Sequence, residues 1–349
     1  MKDEIKRHNE EAFKTSRAEQ DRFGARERHV RSNQRIRAAM MIIVVVVILA
    51  IAWAIAGVMR ERAMFIVAGV ASGLALLSLI QLAPFRLGYT RVEQGYVVTS
   101  CVQLLRKCNF IPDTHKGVPV IGIAAGVFKE RKRMYYISLP GGLTHIGKEC
   151  FMNCRDLRGV VFRGESKLQV VEEKAFFNCF NLYAFCAGDE VTRVGDSAYE
   201  NCRSLRCLYL GGNVEKIGNR AFASCGNLAA MSASEKLTEI PRSAFNGCRS
   251  LTSMPLPACL EKLDDDSFGY CASLASVRIP EKTACIGKGA FTDCRALKEV
   301  VICSKPEFIG FNAFRNCDGA EITFTAVKKQ SKDWNGQWAD RRCKIKFAK

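Results

Sequence analysis

The side chains best suited to chemistry in this sequence are 17 cysteines and 4 histidines. Thiolates and imidazoles hold zinc and, when activated, act as nucleophiles and bases. Both uses need groups that converge on one point, and zinc sites announce themselves by paired short spacings such as C-x-x-C. The cysteines follow another rule. Cys179, Cys202, Cys225, Cys248, Cys271, Cys294 and Cys317 stand 23 residues apart, and Cys154 precedes Cys179 by 25. One thiol per interval makes a line, so these are expected to be buried structural thiols. Cys150 lies close to Cys154 but fills the small-residue position held elsewhere by Ala175, Ala221 and Ala244. His8, His29, His115 and His145 belong to no nucleophile, metal or base motif, and there is no phosphate loop. The run Asp264, Asp265, Asp266 reads as a solvated loop. No catalytic residue, no metal and no cofactor is expected.

The elements that must carry the thiols follow from their neighbours. Three residues before each cysteine stands an aromatic: Phe151, Phe176, Tyr199, Phe222, Phe245, Phe268, Phe291 and Phe314, with Phe128 one period earlier. Five residues ahead of each aromatic stands an aliphatic: Ile123, Ile146, Val171, Val194, Ile217, Ile240, Leu263, Ile286 and Ile309. Three residues after the cysteines come Leu157, Leu182, Leu205, Leu228, Leu251, Leu274 and Leu297, with Met134 and Ala320 at the two ends. Beyond that position the apolar residues alternate, as in Val277 and Ile279 or Val300 and Ile302, which predicts a short strand with one buried face. Each unit therefore reads as strand, turn, short helical turn and loop.

A segment of 23 residues cannot bury its own apolar face, so the units must stack. At ~4.8 Å per coil, about nine coils give a parallel sheet roughly 40 Å long, whose two ends need cover. Residues 95–122 and 334–347 are the candidate covers, which divides this part into 86–122, linker and N-terminal cap, 123–326, repeats, and 327–349, C-terminal cap. Phe222, in mid-stack, is expected to be more costly to truncate than Phe314, where neighbours are fewer. The strand residues facing away from the core would form an open sheet face, and Tyr136, Ser138, Val161, Tyr209, Ser232, Arg278 and Glu299 are its candidate partner-binding residues. Such a smooth, largely uncharged surface suits a protein or peptide better than phosphate-rich nucleic acid. Arg155, Arg203, Arg249 and Arg295 recur in every other coil, where a cation would favour the dipole of each helical turn.

The unit IGKGAFTDCRALKEVVI, and its counterpart IGNRAFASCGNLAAMSA, resembles the repeat of the BspA-like leucine-rich-repeat family. The lead-in YVVTSCVQLLRKCNFIPDTHKGVPVIGI and the Trp-bearing DWNGQWADRRCKIKF resemble that family's flanking pieces. The resemblance covers about residues 95–347 and implies an α/β solenoid, a leucine-rich-repeat horseshoe, with a role in adhesion or protein binding. Asp264 for the usual Gly, Ala320 for Leu, and Thr323 and Thr325 in the last strand depart from the pattern, so the ninth coil is expected to be irregular.

Residues 1–94 lie outside the resemblance. Residues 38–59 and 63–85 are nearly uncharged, and 22 residues at 1.5 Å each reach ~33 Å, enough for a bilayer core. Only Arg60, Glu61 and Arg62 separate them, which predicts an α-helical transmembrane hairpin. Ser72, Ser78 and Gln81 are too few polar groups for transport, and Gly69 and Gly73 would let the two helices pack closely. Arg22, Arg26, Arg28, Arg31, Arg35 and Arg37 precede the first span, so the N terminus, with its charged, helix-prone residues 1–37, is expected in the cytoplasm. Two crossings bring the repeats to the same side, in agreement with so many thiols. The net charge of +17 is spread along the chain, with no basic stripe interleaved with aromatics, so neither nucleic acid nor a small-molecule substrate is expected. The sequence thus reads as a non-catalytic, membrane-anchored scaffold for protein–protein interaction, its oligomeric state undetermined. A cell-surface adhesin with the repeats outside and an accessory subunit of a membrane complex are the alternatives.

Overall fold

The computed structural model describes residues 86–102, 108–232 and 234–348, together with Lys14, Arg17, Ala18, Asp21, Arg22, Ala25 and Val47. The expected transmembrane hairpin, apart from Val47, lies outside the described residues. Among the described residues no helix is long and apolar enough to cross a membrane.

Residues 86–348 form a parallel β-solenoid in which each coil contributes to two ladders. The main sheet runs through Cys108–Phe110, Tyr136–Pro140, Gly159–Arg163, Ala184–Cys186, Cys207–Tyr209 and Ala230–Met231. It resumes as Ser276–Ile279, Glu299–Ile302, Glu321–Phe324 and Lys344–Lys346. A second ladder of two-residue strands holds the repeated aliphatic, as in Val170–Val171 beside Arg193–Val194 and Lys216–Ile217. The N-terminal end is closed by the antiparallel pair Arg86–Val92 and Gly95–Val102, which adds to Val118–Ile123 and so to this ladder. The ninth coil is regular, which corrects the expectation: Glu321–Phe324 pairs in register with Glu299–Ile302, burying Ile322 and Phe324 and turning Thr323 outward.

The expected short helical turn is absent from the described coils, and the backbone shows why. Two residues per coil, four apart, sit in the left-handed region: Lys174 and Asn178 at φ 54° and 60°, Ser197 and Asn201 at 53° and 63°, Arg220 and Ser224 at 57° and 61°. Left-handed residues cannot continue a right-handed helix. Their amides point along the stack instead, Lys174 N–H donating to Asp196 O at 2.9 Å and Ser197 N–H to Asn219 O at 2.8 Å, as does the amide of the ring residue between Lys174 and Asn178, Phe176 N–H to Ala198 O at 2.7 Å. The alternate amides close local turns, such as Cys154 N–H to Phe151 O at 3.1 Å. Every second donor thus binds the next coil, which meets the demand for buried backbone partners without a helix.

Both strand ladders stop at the same coil boundary. Gly195 and Gly218 N–H donate to Val171 and Val194 O at 2.8 Å each, but the corresponding residue of the next coil is Pro241, which has no N–H. Pro255 stands in the neighbouring strand position with the same defect. The turn ladder crosses the gap, with Ser224 N–H on Asn246 O at 2.7 Å. The position of Gly218 also sets the spacing, because a Cβ there would stand 2.3 Å from the Asp196 nitrogen of the preceding coil. Gly218→Ala is expected to cost about 1–3 kcal/mol through overpacking. A urea midpoint equal to that of the parent chain would show that the coils do not approach this closely.

A column of rings runs through the core. Phe128, Phe151, Phe176, Tyr199, Phe222, Phe245, Phe268, Phe291 and Phe314 stack face to face at 5.0–5.7 Å, with interplanar angles of 1–17°. Phe314 is not poorer in neighbours than Phe222, contrary to the expectation. Trp338 packs edge-on against it at 5.9 Å, Trp334 stacks on Phe324 at 4.9 Å, and the Trp334 indole donates to Pro306 O at 2.8 Å.

Candidate functional site

The repeated thiols point inward, next to the ring column, and each donates to a carbonyl of the coil before. Cys154 Sγ lies 2.9 Å from Phe128 O, Cys179 3.1 Å from Phe151 O, Cys202 3.2 Å from Phe176 O and Cys225 3.1 Å from Tyr199 O. Cys248, Cys271, Cys294 and Cys317 repeat the contact with Phe222, Phe245, Phe268 and Phe291 at 3.1–3.2 Å. A thiol fits because it is apolar in bulk yet carries one weak donor for the second lone pair of a carbonyl that already accepts a backbone N–H, as Phe151 O does from Cys154. Burial pushes the Cys154, Cys225 and Cys271 thiols up to about 12, far from the low values of a nucleophile. Among the described residues, no three His, Cys, Asp or Glu side chains are grouped so as to hold a metal ion.

Tyr199 is the one ring of the column that carries a hydroxyl, and that oxygen is buried without a hydrogen-bond partner among the described residues. Tyr199→Phe is expected to stabilise the fold by about 1–2 kcal/mol, since it removes an unsatisfied polar atom while keeping the ring. Thermal unfolding of the two proteins side by side checks this, and a lower midpoint for Tyr199→Phe would refute it.

The turn face is laced by side chains. Asn178 donates to Asn153 at 2.9 Å and Asn201 to Asn178 at 3.0 Å, using the left-handed positions that Asn tolerates. The recurring arginines do not cap helix ends, since the coils hold none. Arg155 and Arg203 instead lie over the Phe180 ring, at 5.5 and 5.0 Å, and Arg295 meets Asp293 at 3.3 Å.

The open sheet face divides into unlike halves. In the first, the outward positions form two in-register rows, Tyr136, Gly159, Ala184, Cys207 and Ala230, and Ser138, Val161, Cys186, Tyr209 and Ser232. Neither row holds a charged residue. In the second half Ser276, Glu299, Glu321 and Lys344 form one row and Arg278, Val301, Thr323 and Lys346 the other. Lys346 pairs with Glu321 at 2.6 Å.

Of the seven candidate partner-binding residues, Arg278 and Glu299 are exposed, and Tyr136 and Val161 are half-buried. Ser138, Tyr209 and Ser232 are 2%, 7% and 2% exposed, which corrects their assignment to an accessible face. Each serves the fold: Ser138 accepts from Arg163 at 2.9 Å, Ser232 accepts the Leu210 N–H at 2.9 Å, and the Tyr209 hydroxyl donates to Asp189. Sequence reasoning assigned Lys344 and Lys346 to the end cap, although they extend the open face by one more strand. The alternation Lys, Ile, Lys was the available sign.

A family model described as a BspA type leucine rich repeat region matches the chain in six copies, over residues 121–231 and 192–321. A leucine-rich repeat protein from Bacteroides ovatus is 20% identical, with 76% of this chain and 78% of that one covered at a TM-score of 0.56. The leucine rich repeat protein of T. pallidum is 24% identical over 54% of this chain and 87% of its own, at a TM-score of 0.47. No match appeared among curated proteins. The first likeness establishes a shared fold.

Proposed function

The chain belongs to the BspA-type leucine-rich-repeat family, and from that premise we propose that it is a membrane-anchored scaffold whose open sheet face binds another protein. The repeat fold suits protein–protein interaction, because a stacked sheet offers one long, regular surface. The observation that carries the reading is the second half of that face. Ser276, Arg278 and Glu299 are exposed on adjacent strands, at fixed register, with both signs of charge within reach. Opposed charges in fixed register select a complementary protein surface, whereas a polyanion would meet Glu299 and Glu321 with repulsion. A photo-crosslinking residue at Val301 in the full chain should give discrete protein adducts, and one at Arg295 on the turn face should not. Equal adducts from both would sink the assignment.

The anchor is the pair of apolar segments 38–59 and 63–85, and the arginines ahead of them favour a cytoplasmic N terminus with the repeats on the same side. Protease digestion of intact and opened cells tests the side. Repeats cleaved in intact cells would favour the adhesin.

A further inference from the structure

The fold gathers arginines and aromatics that are scattered along the chain. Just before the main-sheet strand, Tyr135, Arg158, Tyr183 and Arg206 occupy one position of successive coils. Backbone bonds join them, Arg158 N–H to Tyr135 O at 2.8 Å, Tyr183 N–H to Arg158 O at 3.0 Å and Arg206 N–H to Tyr183 O at 2.8 Å. Each guanidinium lies over the ring of the coil before, Arg158 over Tyr135 at 5.2 Å and Arg206 over Tyr183 at 5.3 Å. Three residues earlier the order is inverted. There Phe180 stands between Arg155 of the preceding coil and Arg203 of the following one, at 5.5 and 5.0 Å. All four arginines are exposed, and the three rings are half-buried. The alternation then ends, since later coils place Ala229, Thr252 and Ala275 in the first column and Gly226, Arg249 and Ala272 in the second.

Arginines elsewhere on the solenoid are matched by carboxylates, Arg193 by Glu172, Arg220 by Glu200 and Arg295 by Asp293. Arg155, Arg158, Arg203 and Arg206 form no such pair among the described residues. The acid next to them in sequence, Asp156, accepts the Arg133 N–H at 3.0 Å. Arginines of alternate coils stand ~10 Å apart, about one Debye length, so their charges repel. Stacking on a ring does not require that crowding, and an anion opposite the ridge would relieve it. Stacking uses the planar faces of the guanidiniums and leaves their N–H edges to bind bidentately, a geometry that a carboxylate matches. The rings are already taken by guanidiniums, so nucleobases would have to displace them.

We propose that this ridge on the first coils is a second protein-binding surface, which takes an extended acidic segment of a partner lying along the stack. Its spacing of ~10 Å matches acidic residues three apart in a polyproline II segment, at ~3.1 Å per residue. The ridge goes beyond the assignment of the open sheet face and makes no use of Ser276, Arg278 or Glu299, so either surface can fail alone.

The test is fluorescence anisotropy of a labelled peptide with Glu at every third position among Pro and Ala, titrated with the full chain in mild detergent at physiological salt. Arg158→Gln with Arg206→Gln should weaken binding roughly tenfold, and Arg155→Gln with Arg203→Gln should do the same. Arg158→Lys with Arg206→Lys keeps the charge but loses the planar fork, so it should recover only part of that loss. Arg249→Gln with Arg295→Gln removes as much charge from later coils and should change binding less than about twofold. An equal loss from that later pair, or full recovery with lysine, would overturn the proposal, because bulk charge would then suffice. So would a parent chain that fails to bind the peptide, whether or not it binds phosphatidylserine vesicles through the same arginines.

Discussion

Raising the pH from 8 to about 10.5 should unfold the solenoid in one steep transition. Each repeated thiol is protonated in the fold and kept so by burial, while in the unfolded chain it ionises near its ordinary value of 9. A group whose folded value is raised contributes fully below its unfolded value, and the contribution drains away as pH climbs toward the folded one. For Cys154, Cys225 and Cys271 the window runs from 9 to about 12. At pH 10.5 each has forfeited about 2 kcal/mol, at ~1.4 kcal/mol per pH unit. Three thiols then remove about 6 kcal/mol, comparable with a typical net stability of roughly 5–15 kcal/mol. Cys150, Cys179, Cys202, Cys248 and Cys294 are shifted the same way by the same desolvation, so they steepen the loss. Circular dichroism against pH, with Cys225→Ala as comparison, checks the assignment. Removal of one titrating thiol should flatten the transition even though it lowers stability at neutral pH. Secondary structure that survives unchanged to pH 12 would mean that the thiols are not buried as described.

The period of 23 was legible because burial is selective: only an apolar ring every coil can build a column, so Phe or Tyr recurs without exception from Phe128 to Phe314. The thiol contact was not legible. Cysteine at a core position signals burial, but its donation to Phe222 O or Phe245 O depends on where the preceding coil places its carbonyl. The helical turn was misread because A-F-x-x-C has helical spacing. Left-handed residues at positions as varied as Lys174, Ser197 and Arg220 carry no compositional mark. The open face failed in an instructive way. Alternation correctly sent Tyr209 and Ser232 to the outer side of the sheet, but alternation cannot say whether that side is wet. Their uncharged company, Ala184, Cys186 and Cys207, is buried as well, packed on neighbours such as Tyr136, Val161 and Tyr183.

Truncating a ring of the column should be among the most damaging single changes, at about 3–5 kcal/mol for Phe222→Ala or Phe314→Ala. Each of these two rings has two aromatic neighbours. Phe222 lies 5.7 Å from Tyr199 and 5.2 Å from Phe245, and Phe314 lies 5.1 Å from Phe291 and 5.9 Å from Trp338. The two losses should therefore agree within about 1 kcal/mol, since Trp338 supplies at the end what another coil supplies in the middle. A stack in which each coil touches only its neighbours makes a sharper demand. Trp338→Ala should couple to Phe314→Ala by about 0.5–3 kcal/mol, because both remove the same contact, and should add to Phe222→Ala within about 0.5 kcal/mol. Denaturant unfolding of the three single and two double variants supplies both cycles. Coupling of Trp338 to Phe222 as large as its coupling to Phe314 would mean that the coils share one undivided core, and the one-dimensional account of this protein would have to be given up.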